Sequence, residues 1–125
     1  RWKQMPSIIG GKYKRTNIAV PNKLVRPTSA LKREAIFSIL ESYAIKNSIN
    51  IYKDKSVIDI FAGSGLIGLE AMSRGMKKSY FIENNEKVLK ILKNNCRKIC
   101  KNNECEIIFE NAITALDRSL MLCLQ

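Results

Sequence analysis

The chain has 125 residues, 46% of them hydrophobic and 26% charged, which is the composition of one folded domain. It has 22 basic and 11 acidic residues and no histidine, so its formal net charge is +11. Without histidine it has no Ser-His-Asp triad, no Cys-His nucleophile pair and no His-ligated zinc. No apolar run approaches the roughly 18 residues of a membrane span, and the first residues lack the apolar core of a secretory signal.

The N-terminal end is the most basic part of the chain. Nine basic residues fall within residues 1–34, against one acid, Glu34. This charge favours a polyanionic partner, although a Lys-, Ile- and Asn-rich composition also arises in AT-rich genomes. Two short apolar pieces, 7–9 and 17–20, flank a Gly10-Gly11 turn, so we expect two short strands of a hairpin.

A helix is predicted next. In Arg26-Pro27-Thr28 the residue before proline is extended, and Thr28 can then cap a helix that runs to about Tyr43. Its apolar residues recur at helical spacing. These are Leu31, Ala35, Ile36, Ile39, Leu40 and Tyr43.

Strand and helix patterns alternate from residue 56 onwards. Gly75 is placed to end the first helix, and Asn84 or Asn85 to cap the second. The order β-α-β-α-β-α predicts an α/β fold with a parallel sheet and right-handed crossovers. In chain order we expect strand 56–61, a glycine loop 62–65, helix 66–74, strand 79–83, helix 86–101, strand 106–109 and a last helix from 111 to the C-terminus.

The glycine loop reads Gly63-Ser64-Gly65-Leu66-Ile67-Gly68, a G-x-G-x-x-G between a strand and a helix. Glu83 ends the next strand, 83 − 63 = 20 residues after the first glycine. In a nucleotide-binding half of a Rossmann fold, the acid that binds the ribose lies at this spacing from the glycine motif. A carboxylate accepts hydroxyl protons and repels a 2′-phosphate, so we expect a nucleoside ligand with a free ribose.

Two such ligands compete, a dinucleotide and S-adenosylmethionine. A dinucleotide needs an anion site at the helix N-terminus, whereas Asp59, near the end of an apolar strand, suits a cationic ligand. Asp59 could instead cap a helix or form an ion pair. Asn111, after the third strand, is placed to bond an adenine edge or to act only as a helix N-cap.

Three of the four cysteines are spaced Cys96-x3-Cys100-x4-Cys105, and Cys123 follows later. This spacing matches neither zinc ribbons nor common iron–sulfur sites. Because Cys96 and Cys100 lie one turn apart in a helical pattern, we expect them to pack as small apolar side chains, with a metal or disulfide role as the lesser alternative. Four thiols without a targeting segment favour a reducing cytoplasm.

These motifs together resemble the RsmD family, bacterial 16S rRNA (guanine-N2)-methyltransferases of the Rossmann-like, S-adenosylmethionine-dependent class. The resemblance runs in order from about Ile8 to Leu116. It includes Ile8-Ile9-Gly10-Gly11, Arg26-Pro27-Thr28 with Arg33-Glu34 and Phe37, the segment 59–65 with 68–71 and 73–75, Phe81-Ile82-Glu83, and Asn111-Ala112.

The resemblance implies a role for each matching residue. Asp59, Phe61, Ala62, Gly63 and Gly65, with Ser64 between the glycines, would surround the methionine part of the cofactor. Glu83 would hold the ribose hydroxyls, Asn84 would lie beside the adenine, and Asn111 and Ala112 would meet the adenine edge. Thr28 would lie near the cofactor, and Arg26 near the RNA entrance. Lys12, Lys14 and Arg15 of the basic hairpin would bind rRNA phosphates.

The chain also departs from the family pattern. Ala30-Leu31 stand where the family often has an acid and an arginine, and Asn85 replaces a second acid after Glu83. The family's Asn/Asp-Pro-Pro-Phe/Tyr motif is missing, because the three prolines are Pro6, Pro21 and Pro27. That motif binds the flipped guanine and its exocyclic amine, so we assign no catalytic residue. We expect a truncated or partial sequence whose sheet has an exposed edge on the third-strand side.

The sequence therefore predicts an incomplete Rossmann-like S-adenosylmethionine methyltransferase fold, with an N-terminal β-hairpin extension (1–27) and a methyltransferase domain (28–125). The expected function is methylation of guanine N2 in 16S rRNA. A catalytically inactive cofactor- or RNA-binding remnant is the alternative, followed by a nucleotide-dependent oxidoreductase. We expect a cytoplasmic monomer that acts on 16S rRNA in the assembling 30S subunit, with no metal and no membrane.

Overall fold

The computed structural model describes residues 5–21 and 30–117. The predicted alternation of strands and helices is confirmed, with boundaries that shift by a few residues. The elements are α1 (Ala30–Lys46), β1 (Ser56–Asp59), α2 (Leu66–Ser73), β2 (Lys78–Glu83), α3 (Glu86–Ile99) and β3 (Cys105–Phe109). A further helix begins at 112 and continues to 117, the end of the described residues.

The three strands form one parallel sheet in the order β1-β2-β3. Ile58 pairs with Tyr80, and Phe81 pairs with Ile107, so the carboxyl ends of β1 and β2 meet at one edge of the sheet. Helices α2 and α3 contact each other, α2 packs on β1 and β2, which it connects, and α3 packs on β3. This confirms the predicted α/β fold with a parallel sheet. Within the described residues β3 is an outer strand, as expected, and β1 is an outer strand as well.

The N-terminal segment forms a hairpin with less regular pairing than predicted. Ser7 and Asn17 make a single antiparallel bridge, and the Ile8 amide donates to the Thr16 carbonyl at 2.9 Å. The expected strands do not extend further, because the amides of Ile9 and Gly10 donate to a side chain of α2 instead of to the opposite arm. The hairpin is thus held both by backbone hydrogen bonds between its arms and by contacts with α2.

The core lies between the sheet, α2, α3 and this hairpin. Ile8 and Ile18 from the hairpin arms are as fully buried as Leu69 of α2 and Phe81 of β2. Gly68 lets α2 approach the sheet, since a Cβ there would lie 2.4 Å from the Phe81 ring. The hairpin is therefore part of the folded core and not an appendage.

Helix α1 is present as predicted, but its apolar residues face outward. Leu31, Ile39 and Tyr43 are 77%, 69% and 58% exposed, while Arg33 and Phe37 are buried. The reason is an ion pair that draws Arg33 inward, against the apolar periodicity of the helix. Thr28, its expected cap, lies outside the described residues. Across 5–21 and 30–117, no helix is both long and apolar enough to cross a membrane.

Candidate functional site

The glycine loop leaves β1 after Asp59 and enters α2 at Leu66. Gly63 and Gly65 have φ values of 54° and 91°, in the left-handed region that favours glycine. A Cβ on Gly65 would lie 2.8 Å from the Leu92 side chain, whereas a Cβ on Gly63 would have no atom within 4 Å. Gly65 therefore serves packing, and Gly63 borders open space at the sheet edge.

Glu83, the last residue of β2, connects the carboxyl end of that strand to the glycine loop. Its Oε1 accepts from the Gly63 amide at 2.8 Å, and its Oε2 accepts from the amides of Asn84 and Asn85 at 3.2 and 3.0 Å. An ionised carboxylate offers about four acceptor positions, so three are filled and one remains on Oε1. The acid predicted from its spacing thus contacts the first glycine directly.

A cavity of about 130 Å³ opens beside Glu83. It brings together five of the predicted cofactor residues from three separate segments of the chain. These are Phe61, Glu83, Asn84, Asn111 and Ala112. Phe61 is 86% exposed, so its ring is available to a ligand that lies on this edge. The cavity has the place and the lining expected of an adenosine site.

Asp59 does not line the cavity. Its Oδ2 accepts from the Gly68 amide at 3.1 Å, which is the helix-capping contact that the sequence left as an alternative. Burial raises the pKa of Asp59 above its usual range, the Gly68 hydrogen bond opposes that rise, and the charge of Glu83 adds to it. Two carboxylates therefore face this sheet edge, and a cation bound there would stabilise both.

Ala62 and Ser64 contribute through the backbone. The Ala62 amide donates to the Ile82 carbonyl at 3.1 Å, and the Ser64 carbonyl accepts from the Asn95 side chain at 2.9 Å. Both residues are buried, with 7% exposed, and neither lines the cavity. Their role in holding a cofactor remains a prediction, as does that of Thr28, which lies with Arg26 outside the described residues.

Asn111 caps the helix that begins at 112. Its Oδ1 accepts from the Ile113 amide at 2.8 Å, while the residue also lines the cavity. The side-chain oxygen of Asn111 makes the capping contact, and its side-chain nitrogen takes no part in it. The N-cap alternative is therefore observed, and contact with an adenine edge stays a prediction.

The basic turn (Lys12, Lys14 and Arg15) lies at the tip of the hairpin, and all three side chains are exposed. The Lys12 amide donates to the Ser73 carbonyl at 2.7 Å, and the Tyr13 amide donates to the Ser73 hydroxyl at 2.8 Å. Gly11 makes this contact possible, because a Cβ there would lie 2.0 Å from the Ser73 carbonyl oxygen. The turn is thus fixed to the C-terminal end of α2.

Glu70 is the centre of a buried network that sequence analysis did not assign. Its carboxylate accepts from the Ile9 and Gly10 amides at 3.0 and 2.9 Å, and it pairs with Arg33 at 3.2 Å and Arg74 at 2.9 Å. Burial lowers the pKa of Arg33, and the charge of Glu70 opposes that change. The signal in the sequence was a lone acid in the apolar helix 66–73.

Asn95 is the second residue that sequence analysis missed. It is fully buried in α3, and its side chain bonds both the amide and the carbonyl of Ala19 as well as the Ser64 carbonyl. It therefore ties the second hairpin arm to the glycine loop. Its only sequence signal was a polar residue on the buried face of α3.

Cys96 is buried in the core as expected, with 6% exposed. Cys100 is half-buried and packs against the core, but it is also joined to Cys105 as a disulfide, the alternative that the sequence analysis favoured less.

The charges and the open space at this edge decide which nucleoside ligand fits. Any nucleoside with a free ribose would gain a hydrogen bond from Glu83, whereas a sulfonium or an ammonium group would also gain from the charge of Asp59. The open space beside Gly63 and the remaining acceptor position of Glu83 suit a ribose, although the hydroxyls must compete with the Gly63 amide. The residues present therefore fit S-adenosylmethionine.

The sheet order, the glycine loop and the strand-end acid define the Rossmann-like fold of S-adenosylmethionine-dependent methyltransferases. Among solved structures, a hypothetical protein from Thermus thermophilus matches with a TM-score of 0.74 at 25% identity, over 91% of this chain and 60% of that chain. The Escherichia coli structure named "Putative methyltransferase yhhF" matches with a TM-score of 0.72 at 28% identity, over 90% of this chain and 56% of that one.

Residues 7–121 match the family described as conserved hypothetical protein 95, and the chain belongs to this family, the RsmD family. The ribosomal RNA small subunit methyltransferase D of Buchnera aphidicola subsp. Acyrthosiphon pisum is 36% identical over 115 residues, 90% of this chain and 54% of that protein. The Escherichia coli K12 protein of the same name is 32% identical over 110 residues, which cover 87% of this chain and 51% of that protein. The chain spans about half the length of the curated relatives that it matches.

Proposed function

We propose that this protein is a 16S rRNA methyltransferase that transfers a methyl group from S-adenosylmethionine to guanine N2, and that this chain supplies its cofactor site and an RNA-binding surface. The observation that carries the proposal is the contact between Glu83 and Gly63 at the carboxyl edge of the parallel sheet. Rossmann-like folds bind their nucleoside ligand at this edge. Relatives named as small subunit rRNA methyltransferases support the substrate class.

Each part of the site has a proposed role. Glu83 accepts the ribose hydroxyls, the wall formed by Asn84, Asn111 and Ala112 receives the adenine, and Asp59 favours the cationic methionine end. S-adenosylmethionine supplies an electrophilic methyl group on a sulfonium. The protein residues act by holding that end in place, since a transfer by in-line displacement depends on alignment rather than on a covalent nucleophile.

RNA binding is assigned to the basic turn. Its three cations project from a hairpin fixed to α2, and Lys–phosphate and Arg–phosphate contacts dominate the affinity of such surfaces. The Asn/Asp-Pro-Pro-Phe/Tyr motif that would receive the guanine is not among these 125 residues, so the residues that orient the exocyclic amine are not assigned. We further propose that the protein acts in the cytoplasm, as a monomer, on the assembling 30S subunit.

The test is equilibrium binding of S-adenosylmethionine and of NAD to the chain. We expect tighter binding of S-adenosylmethionine, and Glu83→Gln should weaken it about 10- to 100-fold, since a hydrogen bond to a charged group contributes about 1.5–3 kcal/mol. Glu106→Gln is the matched control, because it removes the same charge from an exposed strand position. Tighter NAD binding, or equal losses in the two variants, would contradict the proposal.

A second assay separates an active enzyme from a cofactor-binding remnant. The chain is incubated with unmethylated 30S particles and radiolabelled S-adenosylmethionine. Binding of both partners without transfer is expected if the guanine-binding motif is required, whereas transfer by these 125 residues would show that the motif is dispensable.

A further inference from the structure

Three sulfur atoms converge where α3 ends and β3 begins. The Sγ atoms of Cys96, Cys100 and Cys105 all lie within 4.8 Å of one another. Cys96 and Cys100 are one helical turn apart, and Cys105 is the first residue of β3. The structure joins Cys100 and Cys105 as a disulfide with their Cα atoms 5.7 Å apart. A disulfide uses only two of the three sulfurs, so the Sγ of Cys96, which also packs in the core, lies beside them as a third sulfur.

The connection between α3 and β3 holds these sulfurs together. The Lys101 amide donates to the Glu104 carboxylate at 2.8 Å, and the Glu104 amide donates to the Lys101 carbonyl at 3.0 Å. Asn102 takes a left-handed φ of 50°, which closes the turn. Cys105 is then fixed by its pairing with Ser79 in the sheet. The backbone of the turn and of β3 therefore contributes to the convergence alongside the bond between Cys100 and Cys105.

The electrostatic setting favours a cation. The C-terminal end of α3 carries the negative end of the helix dipole, which stabilises positive charge. Three thiolates around a divalent ion leave one net negative charge. Basic side chains in and after the last turn of the helix can offset it. They are Arg97, Lys98 and Lys101.

Cys96 lies in an apolar part of the core. It is 6% exposed within the core cluster that includes Leu92 and Ile99. A cation bound by its Sγ would displace the thiol proton. The apolar side chains around it would shield such an ion from solvent on one side.

We propose that Cys96, Cys100 and Cys105 form a three-thiolate site for a soft divalent cation, with Zn²⁺ as the probe. Binding converts three thiols and one Zn²⁺ into a Zn(S-Cys)₃ group and releases three protons to solvent, with water in the fourth position. Sulfurs at about 2.3 Å from zinc lie about 3.8 Å apart. The Sγ atoms of Cys100 and Cys105, which are bonded here, must therefore separate on reduction, whereas the Cys96 Sγ already lies within 4.8 Å of both.

This proposal replaces the sequence-based expectation of no metal, which rested on an unfamiliar spacing. It requires the reduced form of Cys100 and Cys105. In the cytoplasm proposed above, thiols are kept reduced, and converging cysteines there are more often metal ligands than disulfides. The proposal does not depend on the methyltransferase reaction.

The test uses the reduced full chain in a Cys123→Ser background, titrated with Zn²⁺ and with Co²⁺ under anaerobic conditions. We expect one ion per chain, Co²⁺–thiolate charge-transfer absorption, and a rise in Tm with Zn²⁺ concentration. Cys100→Ser or Cys105→Ser should weaken Zn²⁺ binding about 100-fold or more, a larger loss than changes outside the ligand set cause. Both residues are half-buried, and circular dichroism checks that the variants fold.

Three results would overturn the proposal. One is the absence of stoichiometric Zn²⁺ binding to the fully reduced chain, with the Cys100–Cys105 disulfide re-forming in air, which would make the cluster a redox pair. The second is unchanged Zn²⁺ affinity in folded Cys100→Ser and Cys105→Ser variants. The third is loss of Zn²⁺ binding on Cys123→Ser alone, which would place the ligands elsewhere.

Discussion

Replacement of Glu70 by glutamine should destabilise the protein more than any surface charge change. Glu70 is completely buried and pairs with Arg33, whose side chain is 1% exposed, and with Arg74. Glutamine has nearly the same shape as glutamate, but its NH₂ group would face the N–H donors that now surround the carboxylate. It also leaves Arg33 without its counter-charge. Breaking a buried ion pair from one side costs about 3–5 kcal/mol. That loss is a large part of the roughly 5–15 kcal/mol that stabilises a typical domain.

The assay is urea unfolding followed by circular dichroism. With a denaturant slope of about 2 kcal/mol/M, the Glu70→Gln midpoint should fall by about 2 M. Glu106→Gln is the matched control, because Glu106 pairs with Lys78 on the surface and such pairs contribute about 0–1 kcal/mol. A Glu70→Gln loss below about 1 kcal/mol, or one equal to the control, would refute the assignment of Glu70 as the residue that holds the hairpin on α2.

Two further predictions concern the ligands. Replacing the three residues of the basic turn with glutamine should reduce the salt dependence of RNA binding. The slope of log Kobs against log salt concentration should fall in magnitude by about 2–3, since each phosphate contact contributes about 0.7–0.9. An equal reduction when three exposed lysines of α3 are replaced instead would contradict this assignment. Those control residues are Lys87, Lys90 and Lys93. Because the pKa of Asp59 is raised, S-adenosylmethionine affinity should fall as the pH decreases through that pKa, at a higher pH than an exposed aspartate would give. Calorimetric titration from about pH 8 to about pH 4 measures the effect, and an unchanged pH profile in Asp59→Asn would exclude Asp59 as its source.

Local signals in the sequence predicted the order of the elements and the place of Glu83 at the end of the second strand. The strands carry continuous apolar runs, the glycines mark the loop, and the 20-residue spacing placed Glu83 beside Gly63. These features are readable because each depends on a short stretch of chain or on the fixed geometry of a parallel β-α-β unit.

Contacts between distant segments could not be predicted in the same way. The buried side of α1 does not follow its apolar periodicity, and the Arg33 pair with Glu70 on that side joins residues 37 apart. The hairpin likewise depends on Glu70 and on Ser73, about 60 residues away. The convergence of three cysteines needed the turn at Asn102, which spacing alone does not show.

The length of α2 sets how far apart the two ligand surfaces lie. This helix has eight residues, with the glycine loop at its start and the basic turn fixed to its end. At 1.5 Å per residue it is about 12 Å long. Under the proposed function, the basic turn therefore contacts RNA phosphates about one short helix length from the glycine loop. The protein would then select the immediate surroundings of its target base rather than a remote helix of the ribosomal subunit.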